Sequence, residues 1–431
     1  MNSILYQLTF FITFASISVL AIRQSTRAKS AGGFAVADRS LTRTGVSWII
    51  IGTLIGGVST IGTVQTAFTH GISACIFTFG SSISCFLLGC FFARALREEE
   101  VITVSEYLGK FFGQRFRYYS SAINSVGMFI HVVGQFLASI AILKAVYAFG
   151  DIFSVLLTMF LIGIFIISGG IAGAGLIGRI KFFMLYFIMI ISAGVALYKG
   201  GGLQQIVAQL PKDIDMLGFA QYGIKTASVD MFSMVVGVIS TQIYLQAIFS
   251  AKDVREARNG AFLSAAVIPP IGVLGIIVGL YLRANHPEVA ANPAQALPYF
   301  LHQSFPPIAA AFFSAGILLI VLGTGAGLVL GVTTNIYNDF FNINSSLFQK
   351  VSPILLVRLI VFAVLGLASL LVFTGLDSTI LKWSYMSMGL RGSAVFAGLF
   401  ILVFFKKYSS SRFILILLYA LPVTYILINM L

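Results

Sequence analysis

Gly56-Gly57-Val58-Ser59-Thr60 and Gly237-Val238-Ile239-Ser240-Thr241-Gln242 are the two stretches on which the reading of this chain turns. Each interrupts a long apolar run with glycine and hydroxyl side chains, where an unbroken helix in lipid would carry Leu or Ile. Their Val-Ser-Thr and Ile-Ser-Thr cores echo one another. In lipid a backbone group that leaves a helix finds no water, so such breaks persist only where they line a cavity or are buried in protein. One stretch of small residues is as well explained by close helix packing. Two at matching places, about five spans apart, fit a chain made of two inverted repeats, each with its first helix unwound near the bilayer midplane to bind ions and solute.

The sequence around them is built for lipid. Of 431 residues, 58% are hydrophobic and only 10% charged, outside the range of water-soluble domains. Uncharged stretches of about 20 residues, the length that crosses a hydrocarbon core, recur down the chain. They predict an all-α polytopic membrane protein of about twelve spans, from 4–22 to 413–430. The others run over 45–69, 71–93, 118–143, 152–170, 182–198, 231–250, 261–282, 304–337, 354–374 and 380–405. The expected organisation is one membrane domain over 1–431, with repeats at 45–199 and 228–405 and flanking helices at 4–22 and 412–430. The first apolar run is expected to be a span and not a cleavable signal, because Arg23, Arg27 and Lys29 follow it instead of preceding it.

A net charge of +13 would point a soluble protein toward nucleic acid, but here its distribution governs. With the N-terminus outside, the inner loops hold Arg23, Arg39, Arg94, Arg97, Lys110, Arg115, Lys252, Arg255, Lys406 and Lys407 among others, and the outer loops only Lys199, Lys212, Lys225 and Arg283. That asymmetry is a topology signal. It predicts a multi-pass inner-membrane protein with both termini outside and no nucleic-acid partner. The partners expected are a small-molecule solute, a coupling cation and the lipid bilayer. Other classes lack their marks: there is no GxxxxGK[ST] phosphate loop to drive a pump. The three cysteines, Cys75, Cys85 and Cys90, share one span, and the four histidines are scattered. No cofactor, metalloenzyme or other enzyme is expected.

Ionisable and polar groups inside spans are costly and mark sites. Ser59, Thr60, Thr63, Gln65, Ser240, Thr241 and Gln242 border the two breaks and lead the candidates for hydrogen bonds to solute. His131 and Gln135, four apart, share one helix face, with Asn124 further back. Interhelical bonding explains that face equally well. Asp230 reads as a helix N-cap or a partner for a cationic group. Tyr385 and Arg391 lie on a late span; facing a cavity, Arg391 would grip a carboxylate bidentately, and otherwise it snorkels or forms a structural ion pair.

Four stretches resemble the sodium/solute symporter family, which includes sodium-coupled sugar, proline and pantothenate carriers. They are Ala37-Asp38-Arg39-Ser40-Leu41, residues 62–71 (GTVQTAFTHG), 246–258 (QAIFSAKDVREAR) and 325–340 (GAGLVLGVTTNIYNDF). The likeness covers about residues 36–400. It implies five plus five inverted helices, here the second to the eleventh spans, with one extra helix at each end. It also implies a sodium site, made by the carbonyls of Gly52, Ile55 and Ile320 and by side chains at 323 and 324. Thr324 supplies a hydroxyl there; Gly323 does not. After Ser168-Gly169-Gly170 the family pattern continues to a Thr-Asp pair, where this chain has Ile177 and Gly178, followed by Arg179 and Lys181.

Arg179 and Lys181 therefore carry two readings. The plainer, preferred on sequence alone, is that both cap the inner end of a span. The sharper is that the Lys181 ammonium stands where sodium would sit. The expected function is symport of a small polar solute, such as an amino or organic acid, driven by a cation, sodium by resemblance. The alternatives are a proton-coupled or uncoupled carrier of the same fold, and a transporter-like sensor, which for a chain ending just past its last span would need a separate partner.

Overall fold

The computed structural model describes residues 4–25, 39–99, 101–167, 170–341, 353–373 and 379–430. Among these there is no strand; the one pairing of extended backbone is an isolated bridge between Leu41 and Ala251. Helices are what lipid permits, since each backbone group must be satisfied within its own segment. In chain order the principal ones are α1 (Ile4–Ser25), α2 (Arg43–Leu54), α3 (Thr63–His70), α4 (Cys75–Leu87), α5 (Val104–Phe112) and α6 (Gln114–Tyr147). There follow α7 (Asp151–Ile167), α8 (Gly170–Lys199), α9 (Ile224–Ser240), α10 (Gln242–Phe249), α11 (Val254–Asn285) and α12 (Pro307–Ile336). The last are α13 (Pro353–Val372), α14 (Ile380–Arg391), α15 (Ala397–Phe404) and α16 (Arg412–Met430).

By length and apolarity, seven described helices can cross a membrane, or eight if the bent pair α9 and α10 counts as one span. Three more apolar helices, Ile4–Val19, Asp151–Ile166 and Arg412–Ile428, are shorter. Charged residues make the sequence reading too short at several ends. α8 starts at Gly170 where the apolar run suggested 182, so Arg179 and Lys181 lie inside a helix. α9 starts at Ile224, capped by Gly223, so Asp230 sits well within it, accepting a bond from Tyr222 at 2.6 Å, and is not an N-cap.

α12 is the most deeply buried of the long apolar helices among the described residues. The most apolar window of Pro307–Phe341 is wholly buried, whereas those of Gly178–Lys199 and Leu355–Val372 are only 39% buried, so α8 and α13 give one face to lipid. Phe153, Phe160, Phe183, Phe187, Phe362 and Phe400 are exposed on such outer faces. In water they would be a liability; in a bilayer they replace lipid contacts at no loss.

Two segments singled out by resemblance meet in space. Leu41 N–H donates to Ser250 O at 3.0 Å and Lys252 N–H to Leu41 O at 2.8 Å, which pins the start of α2 to the end of α10. Arg97 clamps the same turn, donating to Ala251 O at 2.5 Å and Lys252 O at 3.1 Å. Ala37 and Asp38 lie outside the described residues.

Candidate solute and cation sites at the helix breaks

α2 stops at Leu54, and Ile55 takes extended backbone (φ −95°, ψ 105°). Helical geometry resumes as a π turn, Val58–Gly62, that runs into α3. The Gly56 N–H, which an unbroken helix would spend on the Gly52 carbonyl, goes to Ser59 Oγ at 2.9 Å. Gly57 N–H goes to Gln135 Oε1 at 2.9 Å. Glycine is required here by close approach: a Cβ on Gly56 would stand 2.3 Å from Thr324 Oγ1, and one on Gly57 2.4 Å from Ala138 Cβ.

The second break is narrower than the sequence suggested. Gly237, Val238, Ile239 and Ser240 remain helical, and only Thr241 is extended (φ −79°, ψ 118°), with a 42° bend between α9 and α10. The hydroxyls explain the confinement, since Ser240 Oγ donates to Val236 O at 2.6 Å and Thr241 Oγ1 to Gly237 O at 2.7 Å, satisfying carbonyls at the end of α9.

At the first break the carbonyls of Gly52, Ile55 and Ile320 converge on Thr324 Oγ1, at 3.3, 3.2 and 3.1 Å. These are the atoms the resemblance assigns to an ion. Gly323 adds no side chain. Lys181 Nζ lies among them, donating to Gly52 O at 2.5 Å and Thr324 Oγ1 at 2.6 Å. Its residue is 2% exposed, and among the described residues no carboxylate pairs with it. Arg179 is exposed, whereas Lys181 is buried and bonded within the bundle, so end-capping does not describe Lys181. A glycine contact makes the reach possible. A Cβ on Gly52 would stand 2.5 Å from Gly178 Cα, and one on Gly178 2.2 Å from Trp48 O, so α2 and α8 touch backbone to backbone one turn from Lys181.

A polar line joins the two breaks along the facing helices α6 and α14. From Gln135 at Gly57 it passes to His131, whose ring nitrogens lie 3.3 Å from Ser384 Oγ and 3.4 Å from Arg391 Nη2. Arg391 then reaches Thr241 Oγ1 with Nη1 at 2.6 Å, and Ser387 O and Oγ with Nε and Nη2 at 3.1 and 2.8 Å. Gly127 leaves room for its stem, since a Cβ there would meet Arg391 Cγ at 2.4 Å. Arg391 is fully buried, so it does not snorkel, and no carboxylate among the described residues pairs with it. Gln135 Nε2 is buried without a hydrogen-bond partner. A lone guanidinium at one end of this line and an unspent amide donor at the other suit a solute that brings its own negative charge and acceptors.

The remaining candidates distribute around this line. Ser59 and Thr60 donate to Gly56 O at 3.0 and 2.8 Å. Gln65 accepts from Ile380 N–H at 3.2 Å, tying α3 to the start of α14. Thr63 faces α11 near Gly275 with its hydroxyl buried and unpartnered. Tyr385 is buried on α14 beside Ser384, and Asn124 donates to Ser240 O at 2.9 Å. Gln242 points the other way, bonding Ile102 O and Val104 N–H at 2.9 Å each, so it belongs to the contact between α10 and the start of α5.

Beside the start of α5 lies a cluster that the sequence analysis does not single out. Asp339, in the turn after α12, accepts from Thr103 at 2.9 Å, Ser121 at 2.7 Å and Arg117 at 2.9 Å. It is fully buried. The signal was present, because Asp339 belongs to one of the four family-like stretches, but nothing local distinguishes it from a helix-end carboxylate.

The family model of the sodium:solute symporter family matches residues 34–412. This chain belongs to that family. Among curated relatives, the high-affinity choline transporter 1 of Drosophila melanogaster is 22% identical over 376 residues, covering 83% of this chain and 59% of the relative. The chain thus spans a little under three-fifths of that relative's length. Among solved structures, a Na+-coupled sialic acid symporter in a substrate-bound outward-open state superposes with TM-score 0.76 at 15% identity, over 99% of this chain and 98% of the other. A nucleobase-cation-symport-1 family transporter, closed on bromovinylhydantoin, gives 0.63 at 12% identity, over 89% and 82%. The manganese transporter of Eremococcus coleocola gives 0.55 at 10%, over 93% and 89%. The family accounts for the multi-pass, all-helical architecture.

Proposed function

We propose that this member of the sodium:solute symporter family moves a small anionic solute, an amino or organic acid, across the membrane by alternating access between the two helix breaks. The observation that carries the solute class is Arg391. A buried guanidinium held by neutral groups keeps an uncompensated charge, and a carboxylate matches its planar donors. Family membership supports a coupling cation, sodium being the family's own; at the first helix break this chain departs from that pattern through Gly323 and Lys181. The helix layout fits a twelve-span carrier in which the shorter apolar helices also cross, the repeats at 45–199 and 228–405 are inverted copies, and both termini lie outside; the matching breaks and the distribution of basic residues support it.

The test is uptake of radiolabelled carboxylates, sugars and cationic solutes into proteoliposomes under imposed sodium, proton and null gradients. Accumulation of a carboxylate is expected, with Arg391→Gln lowering it at least about a hundredfold while the protein still folds. Uptake of neutral sugars that survives Arg391→Gln would refute the assignment.

A further inference from the structure

We infer that Lys181 is a tethered cation that replaces sodium at the first helix break, so that this carrier works without binding sodium there. The inference rests on the carrier reading and concerns the same fold, but its decisive measurement does not need the solute.

Three carbonyls and one hydroxyl from two helices, α2 and α12, point at one small volume. Oxygens brought together in this way repel one another unless a cation or hydrogen-bond donors sit between them. Thr324 has a single hydroxyl hydrogen for three carbonyls. The Lys181 ammonium supplies further hydrogens and a full positive charge, and it already contacts Gly52 O and Thr324 Oγ1. A metal ion bound to the same oxygens would share its space with the ammonium and stand within a few ångströms of a like charge, out of water.

Two glycines complete the substitution. Gly323 removes the side-chain oxygen that would sit beside Thr324. Gly178 stands where the family pattern carries an acid, and only a glycine fits, because any Cβ would run into Trp48 O at 2.2 Å. Loss of the acid and close approach of α8 are thus one change. It brings the Lys181 helix near enough for the side chain to reach Gly52 O and Thr324 Oγ1. The tether also changes what the site does. A free ion leaves when the inner side opens, whereas an ammonium on α8 stays with its helix, so it links α2 to α12 as long as α8 stays packed.

The experiment uses the purified full chain with sodium itself as the probe. Thermal unfolding is followed in sodium chloride and in N-methyl-D-glucamine chloride at matched ionic strength, for wild type, Lys181→Met and the double variant Lys181→Met/Gly323→Ser. The wild-type midpoint is expected to be the same in both salts. The double variant, with the ammonium gone and a hydroxyl restored, is expected to gain a sodium-specific upward shift. In proteoliposomes, wild-type uptake is expected to be unchanged when sodium is replaced by N-methyl-D-glucamine, and Lys181→Met to lose it. A sodium-specific stabilisation of wild type, or undiminished uptake by Lys181→Met, would overturn the inference. If no solute is taken up under any gradient, the carrier reading fails, while the wild-type midpoints still decide whether sodium binds.

Discussion

Replacing Gly178 with Ala tests whether the backbone contact between α2 and α8 is what delivers Lys181 to its oxygens. The new Cβ would stand 2.2 Å from Trp48 O and 3.1 Å from Trp48 C. Non-bonded heavy atoms settle about 3.5 Å apart, so the two helices must part by roughly 1 Å. Backbone on both sides leaves no side chain to swing away, and overpacking of this kind costs about 1–3 kcal/mol. Lys181 is one turn further along the same face, so its bond to Gly52 O would stretch from 2.5 Å to the edge of hydrogen-bonding range, where it is much weakened. Bonds to charged groups contribute about 1.5–3 kcal/mol each. Because one displacement causes both losses they do not simply add, and a destabilisation of about 3 kcal/mol is expected. Gly194→Ala is the control, since it lies on the same helix with nothing within 4 Å of the new methyl. The assay is thermal unfolding in detergent with uptake measured in parallel. A Gly178→Ala protein that unfolds together with Gly194→Ala and keeps full uptake would show that the close approach is incidental.

Two further outcomes follow from groups outside the breaks. Asp339→Asn removes the negative partner of Arg117, whose side chain is only 15% exposed, and should destabilise the packing of α5 and α6 against the end of α12 by about 3–5 kcal/mol. A double-mutant cycle with Arg117→Gln measures the coupling, and additive effects would refute the pairing. In the loop after α11, the Tyr299 hydroxyl bonds the Glu288 carboxylate at 2.6 Å and holds its pKa down to about 2, from an ordinary 4.5. Because the folded value is depressed, whatever this bond gives the loop is present above the ordinary pKa and is lost as pH falls toward about 2. Tyr299→Phe should move the Glu288 titration up toward 4.5, as followed by carbon NMR of labelled glutamate, and a midpoint that stays near 2 would contradict this.

The sequence by itself determined that this chain lives in lipid, that it is helical, and that two of its helices fail at Gly56 and near Thr241. Those conclusions rest on local properties: apolar length, glycine, and hydroxyls that compete for backbone carbonyls. The first break was legible to within a residue, because its glycines have a counterpart in the second half that packing alone does not call for, and the chain leaves the helix at Ile55 just before them. The second was read too wide, because Ser240 and Thr241 fold their hydroxyls back onto α9 and keep it helical up to the bend. Which polar groups meet was decided only in three dimensions. Lys181 and Thr324 are 143 residues apart in sequence, and Arg391 and Thr241 150 apart. From the sequence, Arg179 and Lys181 look alike, two basic residues at the end of an apolar run. The helix screw turns one outward to solvent and the other inward onto Gly52, and only packing of α8 on α2 fixes which.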